Sequence, residues 1–213
     1  MDLKARSLEM REFFDRKTQG YDDAHAKFLE AKKLLTQNLP DHTKKVLDLG
    51  AGTGLELIAL FQRFPDARVT VVDISEGMLL ALKEREFADR IEFICGDFFE
   101  VDLGSGYDAM ISTSALHHFT LEDKSRLYKK VYDSLNEGGL FINCDKTALD
   151  QSAEDRSFIT YNENKHLDPP PHIDTPLTIE HETQALETAG FTDINISDGK
   201  YPEYFLYTAK KQA

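Results

Sequence analysis

A strand, a glycine-rich loop and a helix follow one another without interruption at residues 46–56. The segment reads Val-Leu-Asp-Leu-Gly-Ala-Gly-Thr-Gly-Leu-Glu. Glycine adopts positive φ at little cost and lets the backbone approach a ligand closely, and the helix that follows directs unpaired N–H groups toward the loop. The segment therefore predicts an α/β unit with a ligand site at the carboxyl end of its first strand.

A carboxylate ends the next apolar run of the chain. Asp73 closes residues 68–73, near the offset of about twenty residues at which doubly wound folds place an acid on ribose hydroxyls. Asp73 is therefore predicted to bind a ribose.

The glycine spacing separates two kinds of cofactor. Dinucleotide sites use G-x-G-x-x-G, whereas Gly50, Gly52 and Gly54 follow a G-x-G-x-G pattern. Asp48 precedes them, where a carboxylate would repel a pyrophosphate but could receive an ammonium group, directly or through water. This combination favours a ligand with an amino-acid moiety.

These residues resemble motif I of the class I S-adenosylmethionine (SAM)-dependent methyltransferases. The resemblance continues through Gly96-Asp97-Phe98, residues 107–119 and residues 136–142, and it covers about residues 44–145. It implies SAM as cofactor, S-adenosylhomocysteine (SAH) as product, and an acid at the adenine N6 hydrogens. The cofactor contacts expected from motif and resemblance together are Asp48, Gly50, Ala51, Gly52, Gly54, Asp73, Ile74, Met78, Asp97, Phe98, Ser114 and Ala115.

Candidate residues for catalysis and substrate binding lie beside these motifs. His117 and His118 follow the fourth predicted strand, where one could remove a proton or orient the acceptor, or could instead bond to the backbone while lining the pocket. The resemblance to small-molecule methyltransferases places Tyr21 over the methionyl end. Asp145 ends the fifth strand and is predicted either to meet a cationic substrate or to cap the next segment.

The order of predicted elements indicates a parallel sheet, because strands alternate with helices. With the resemblance, this gives an α/β, Rossmann-like class I methyltransferase fold: a seven-stranded, mostly parallel sheet with an antiparallel last strand and helices on both faces. Strands are predicted at 45–49, 68–73, 91–95, 107–112, 139–144, 191–197 and 204–209, and helices at 8–16, 24–39, 54–63, 75–86, 121–136 and 178–189.

The length of 213 residues fits one domain, 1–213. Residues 1–40 are predicted to form an amino-terminal helical cap. Residues 145–177 hold four prolines and little periodicity, and they follow the fifth strand, beside which ligands bind in open α/β sheets. They are expected to form either a substrate lid or a partly helical surface connection.

Composition narrows the possible partners. A net charge of −13 disfavours nucleic acid as substrate. Basic pairs such as Lys32-Lys33 are interpreted as solvated surface. Cys95 and Cys144 have no histidine at metal-ligand spacing, so no metal site is predicted. The sequence shows neither a secretion signal nor an apolar run long enough for a bilayer, which favours a cytoplasmic monomer or homodimer that does not bind membranes.

The predicted function is therefore methyl transfer from SAM to a small molecule, with the acceptor left open. Two alternatives are an NAD(P)-dependent oxidoreductase, disfavoured by Asp48 and the glycine spacing, and a non-catalytic SAM-binding or adaptor protein. A third is an enzyme that uses a modified SAM, such as a carboxylated derivative, for which a basic residue near the sulfonium is expected.

Overall fold

The computed structural model describes residues 2–168 and 171–212. In these residues eight α-helices and seven strands form one sheet with helices around it. The helices are α1 (Leu3–Asp15), α2 (Tyr21–His25), α3 (Leu29–Asn38), α4 (Leu55–Arg63), α5 (Glu76–Lys83), α6 (Leu121–Ser134), α7 (Gln151–Asn164) and α8 (Ile179–Ala189). The strands are β1 (Lys45–Leu49), β2 (Arg68–Asp73), β3 (Ile91–Cys95), β4 (Tyr107–Thr113), β5 (Leu135–Lys146), β6 (Thr192–Asp198) and β7 (Tyr204–Lys210).

The sheet has the strand order β3-β2-β1-β4-β5-β7-β6. Strands β1 to β5 pair in parallel, and β7 runs antiparallel to both β5 and β6. The predicted fold, including the antiparallel last strand, is confirmed. The strand order reverses direction between β1 and β4, and in doubly wound sheets this point opens a crevice for ligands at the carboxyl ends of the strands.

Two hydrophobic clusters cover the two faces of the sheet. Alternate residues of a strand point to opposite faces, so Val46 packs in one cluster and Leu47 in the other. The first cluster receives side chains from α3, α4 and α5, and the second from α6 and α8. The central strands are therefore buried on both sides, which holds the loops at their carboxyl ends in fixed positions.

Several element boundaries differ from the prediction: the first helix begins at Leu3 rather than at residue 8, the helix predicted at 75–86 ends at Lys83, and three further differences concern residues 24–39, the fifth strand and residues 145–177. The predicted helix 24–39 is split into α2, a 3₁₀ turn at Ala26–Phe28 and α3. Phe28 packs there with its ring centroid 4.4 Å from that of Tyr201, a contact that outweighs continuous helix formation. The fifth strand begins at Leu135 rather than 139, and its register with β4 shifts between Tyr107 and Ala109.

The third difference concerns residues 145–177, where the 14-residue helix α7 begins after the N-cap Asp150. Asp150 accepts a hydrogen bond from the Ala153 N–H, so the capping role considered for Asp145 belongs to Asp150. Of the four prolines in the stretch, Pro169 and Pro170 lie outside the described residues. Among the described helices, none has both the length and the apolar character required to span a bilayer.

Candidate active site

The three glycines after β1 all have positive φ, but their surroundings differ. A Cβ atom at Gly50 would lie 2.4 Å from the Cβ of Ala115, and one at Gly54 would lie 2.3 Å from Cδ1 of Leu82. A Cβ at Gly52 would meet nothing closer than Tyr21, at 3.9 Å. Gly50 and Gly54 thus permit close packing, whereas Gly52 leaves open space in which a ligand can approach the backbone.

Asp73 fixes the conformation of this loop. One carboxylate oxygen accepts a hydrogen bond from the Gly52 N–H at 2.7 Å, and the other accepts one from the Ser75 N–H at 2.8 Å. Burial raises the pKa of Asp73 to about 6, against the opposing effect of these two hydrogen bonds. Each carboxylate oxygen keeps a further lone pair that can accept a hydroxyl hydrogen.

A cavity opens between the glycine loop and helix α1, and we call it the glycine-loop cavity. It brings together the predicted cofactor contacts from the loops after β1, β2, β3 and β4, together with Tyr21 and His118. The remaining walls come from residues that the sequence analysis did not assign. The cavity is lined by Ser7, Met10, Phe14, Tyr21, Lys32, Gly50, Ala51, Gly52, Thr53, Leu55, Asp73, Ile74, Met78, Asp97, Phe98, Thr113, Ser114, Ala115, His118 and Phe119.

Two predicted cofactor residues, Asp48 and Gly54, do not border this cavity. Asp48 is completely buried, and among the described residues neither of its carboxylate oxygens has a hydrogen-bond partner. Burial, together with the Glu56 carboxylate, raises the pKa of Asp48 well above its usual value. Because Asp48 does not border the cavity, the ammonium group of a ligand would reach this carboxyl group through a bridging water.

Lys32 contributes a positively charged side chain to the lining of the glycine-loop cavity. Its ammonium group lies 2.5 Å from the carboxylate of Glu56, and both side chains are buried. Burial by itself lowers the pKa of Lys32, but Glu56 outweighs that effect and raises it. The interpretation of Lys32 as solvated surface is therefore wrong: α3 turns this side chain inward, whereas Lys33 remains exposed.

A second cavity of about 470 Å³ adjoins the first, and we call it the histidine cavity. Its walls combine aromatic side chains with imidazoles, lysines and one carboxylate. They are Phe13, Phe14, Lys17, Gln19, Gly20, Tyr21, Ala24, His25, Lys27, Phe28, Ser114, His117, His118, His172, Asp174 and Tyr204. This volume is typical of a site for a small molecule.

Four of these residues form what we call the histidine cluster: His117, His118, His172 and Asp174. Three imidazole nitrogens surround Oδ1 of Asp174, with His117 Nε2 at 3.4 Å, His172 Nε2 at 3.6 Å and His118 Nδ1 at 3.9 Å. Its other oxygen, Oδ2, is 2.9 Å from the ammonium group of Lys146. His117, His118 and Asp174 each offer one atom that could bind a metal ion, and these three atoms lie within 4.8 Å of one another.

Asp145 lies behind this cluster and does not line either cavity. Its carboxylate contacts Nδ1 of His117 at 2.5 Å and accepts a hydrogen bond from the Leu116 N–H at 2.8 Å. Burial alone would lower the pKa of His117, but Asp145 and Asp174 raise it to about 9. The structure therefore places Asp145 so that it orients His117, not where a substrate would contact it directly.

Arg6 joins helix α1 to the histidine cluster and is completely buried. Its guanidinium donates hydrogen bonds to the backbone oxygens of His118, at 3.2 Å, and Ile173, at 2.5 Å. It also lies 3.4 Å from Nδ1 of His118 and 4.3 Å from the ring centre of Tyr161. The contact with Nδ1 is long for a hydrogen bond, and Nε2 of His118 has no hydrogen-bond partner among the described residues.

Sequence reasoning missed Arg6, Lys32 and Asp174. The basic Lys32-Lys33 pair carries no sign of which lysine is buried, and Arg6 lies in a segment without a motif. A weak signal existed for Asp174, because His172-Ile173-Asp174 places two polar side chains on one side of an extended segment. The sequence does not show that this side faces His117 and His118.

The fold and the glycine-loop cavity define a Rossmann-like protein with a site for a nucleoside-containing cofactor. A family model described as a methyltransferase domain matches residues 46–139. The chain is 27% identical over 177 residues to a carboxy-S-adenosyl-L-methionine synthase of Nautilia profundicola, an alignment that covers 76% of this chain and 75% of the relative. It is 33% identical over 131 residues to a malonyl-[acyl-carrier protein] O-methyltransferase of Acetivibrio thermocellus, covering 60% of this chain and 45% of the relative.

A crystal structure from Nostoc punctiforme, of a protein provisionally assigned as an O-methyltransferase, superimposes with a TM-score of 0.73. The two chains are 26% identical, and the match covers 91% of this chain and 60% of the other. The chain thus spans less than two thirds of that structure and less than half of the malonyl-carrier relative. The family model, these relatives and this structure support the resemblance to the class I SAM-dependent methyltransferases stated from the sequence, a family whose cofactor is SAM.

The residues present fit SAM. Gly52 leaves open space beside the cavity, and Asp73 keeps lone pairs for ribose hydroxyls. The buried Asp48 does not border the cavity and would contact an ammonium group through a bridging water. The roles of the individual contacts remain predictions.

Proposed function

We propose that this protein transfers the methyl group of SAM to a small polar acceptor bound in the histidine cavity. The observation that carries the proposal is that the two cavities share a wall, formed by Phe14, Tyr21, Ser114 and His118. A cofactor in one cavity and an acceptor in the other would meet there. Bound SAM supplies an activated methyl group, which leaves its sulfur for a lone pair of the acceptor and yields SAH.

The chain's own residues position the acceptor and exclude water. His118 borders both cavities, and His117 borders the histidine cavity. Asp145 orients His117, and Arg6 holds the backbone of His118, so both imidazoles are held in fixed positions. Because holding a nucleophile in line is the main requirement of methyl transfer, we assign the two histidines to orienting the acceptor, with proton removal as a further role to test.

Residues 171–177 form the part of the predicted lid that this proposal uses. They bring His172 and Asp174 to the histidine cavity, and the Thr175 N–H donates a hydrogen bond to the His117 backbone oxygen at 2.9 Å. Helix α1 closes the glycine-loop cavity from the other side with Ser7, Met10 and Phe14. Entry of ligands would therefore require α1 and this segment to move apart.

A reaction that involves a carboxylated SAM, as its product or as its cofactor, is the second candidate, because several relatives are named carboxy-SAM synthases. Such a cofactor would need a free cation beside the sulfonium. Lys32 borders the glycine-loop cavity but is already paired with Glu56 at 2.5 Å. We therefore favour ordinary methyl transfer. A cytoplasmic location and a monomeric or homodimeric state remain predictions from the sequence.

Calorimetry on cofactor-stripped protein tests the proposal first. We expect SAM and SAH to bind with micromolar affinity, and NAD and NADP to give no heat. The protein would then be incubated with SAM and panels of amines, carboxylic acids, phenols and thiols, with SAH formation as the readout. Nicotinamide binding without SAM binding would contradict the cofactor assignment, and tight SAM binding without SAH formation on every panel would favour the non-catalytic alternative.

A further inference from the structure

The distances within the histidine cluster are characteristic of metal ligands. Charge-assisted hydrogen bonds between nitrogen and carboxylate oxygen measure about 2.7–2.9 Å. The three imidazole nitrogens lie 3.4–3.9 Å from Oδ1 of Asp174. Ligands that surround zinc tetrahedrally at about 2.0–2.2 Å are separated from one another by about 3.3–3.6 Å. The distance of 3.4 Å between His117 Nε2 and Asp174 Oδ1 matches that separation, and the distance of 3.9 Å between His118 Nδ1 and the same oxygen is slightly longer.

The surrounding contacts direct two imidazole nitrogens toward Asp174. Asp145 contacts Nδ1 of His117, so Nε2 of His117 faces Asp174. Nδ1 of His118 lies 3.9 Å from the same carboxylate oxygen. Two imidazole nitrogens and a carboxylate oxygen arranged in this way can share one cation, either the proton of a charged His117 or a metal ion that replaces that proton.

We propose that His117 Nε2, His118 Nδ1 and Asp174 Oδ1 bind one divalent transition-metal ion, such as Zn²⁺, in the histidine cavity. Two histidines and one carboxylate leave coordination positions open, as in catalytic zinc and non-haem iron sites. Asp145 is the outer carboxylate that metal-binding histidines usually carry on their second nitrogen. His172, with Nε2 3.6 Å from Asp174 and a buried Nδ1 without a partner among the described residues, is the nearest further imidazole.

Two cations compete with the metal in the metal-free protein. Arg6 shares the Nδ1 lone pair of His118, and Lys146 binds the other carboxylate oxygen of Asp174. Metal binding exchanges the first of these contacts for coordination, while Arg6 keeps its bonds to the His118 and Ile173 backbone oxygens. The sequence predicts no metal site, and the proposed site differs from that prediction. Its ligands come from segments that lie far apart along the chain, so no local spacing indicates it.

His117, His118 and Asp174 line the histidine cavity, so a metal ion held by them would polarise an acceptor oxygen or nitrogen and lower the pKa of its proton, which would pass to water. This role rests on the proposed methyl transfer, whereas metal binding itself does not. The acceptor is therefore expected to be a molecule that can coordinate a metal ion through oxygen or nitrogen.

The test uses the full chain after treatment with a chelator. Zn²⁺ is titrated by calorimetry, and Co²⁺ is added as a spectroscopic probe whose visible absorption reports its coordination. Wild-type protein is compared with Asp174→Asn and His117→Gln, and with His166→Ala, which changes an exposed histidine outside the cluster. SAH binding to each variant, with and without Zn²⁺, checks that the cofactor side is folded.

We expect one Zn²⁺ per chain in the wild type and in His166→Ala, and affinity at least about 100-fold weaker in the two cluster variants. If a proton instead of a metal joins the cluster, Co²⁺ gives no visible band and Zn²⁺ binding is equal in wild type and Asp174→Asn, and the inference is wrong. Because SAH binding is measured separately, its loss would overturn the proposed function without affecting the metal result, and its retention without metal binding would overturn only the metal site.

Discussion

The glycine-loop cavity and the histidine cavity share a wall, yet they are assembled in different ways. The first is built chiefly from loops that directly follow β1, β2, β3 and β4, so parallel pairing of the strands brings its residues together. The second depends on contacts between distant segments, such as the Arg6 bond to the His118 backbone, 112 residues away in sequence. A local sequence motif therefore identifies the cofactor site, whereas no local motif identifies the acceptor site.

The largest expected effect concerns Lys32, the charged side chain that the helical cap contributes to the lining of the glycine-loop cavity. Lys32→Met leaves Glu56 buried without its cation, and breaking a buried ion pair costs about 3–5 kcal/mol of unfolding free energy. Urea unfolding followed by circular dichroism measures the loss. The matched control, Lys33→Met, removes an exposed lysine of the same helix and should cost less than about 1 kcal/mol.

A second variant, Lys32→Met with Glu56→Leu, should recover part of the lost stability because no buried charge is then left unpaired. Equal losses for Lys32→Met and Lys33→Met would show that the buried pair does not form.

The next largest effect is expected on cofactor affinity, which should depend on the open space at Gly52. Gly52→Val puts a branched side chain into that space, so SAH affinity should fall at least about 100-fold, or about 2.7 kcal/mol. Gly20→Val is the control, since Gly20 also has positive φ but a Cβ there meets nothing within 4 Å. Calorimetry checks both. An unchanged affinity in Gly52→Val would place the cofactor elsewhere.

The opposite behaviour is expected on the acceptor side. Asp174→Asn should leave SAH affinity within about threefold of wild type, because Asp174 does not border the glycine-loop cavity. Methyl transfer to an acceptor identified in the panel should fall about 100-fold, since misplacing a reactant by a small distance costs that much. SAH formation over time measures the transfer. A variant that loses SAH binding would show that the two cavities are not separable.

The smallest effect is the pH dependence of cofactor binding. Asp73 has a pKa of about 6 in the free protein and accepts ribose hydrogens only in its ionised form. SAH affinity should therefore be constant above pH 7 and weaken about tenfold as the pH falls to 5. Asp73→Asn should bind weakly with little dependence on pH over this range. If the SAH affinity of the wild type depends on pH as little as that of Asp73→Asn, Asp73 does not bind the ribose.

The same difference between the two cavities explains which features of the structure the sequence could predict. The strands, their order and the glycine loop depend on periodicity and on residues that are close together, so the sheet lies where predicted. Ten of the twelve expected cofactor contacts line the glycine-loop cavity, and their contact with the cofactor remains a prediction. Asp48 and Gly54 carry the motif, but they are buried away from the cavity wall. The sequence cannot show this, because burial depends on the packing of Glu56 and Leu82 around them.

The acceptor side was less predictable for a physical reason. His117 and His118 line the histidine cavity after β4, but their surroundings depend on Asp145 and Arg6. Asp145 was expected either to meet a cationic substrate or to cap the next segment, whereas its position near the end of β5 turns it toward His117. Such contacts form only when α1, β5 and residues 171–177 pack together, and no pattern along the chain encodes that meeting.

Amide hydrogen exchange with and without SAH is the most direct test of the central claim, that the cofactor binds at the carboxyl ends of β1 to β4. We predict increased protection in residues 50–54, 73–78, 96–98 and 113–116 and in helix α1, with little change at β6 and β7. Protection confined to the histidine cavity, or to surfaces away from these loops, would contradict the account.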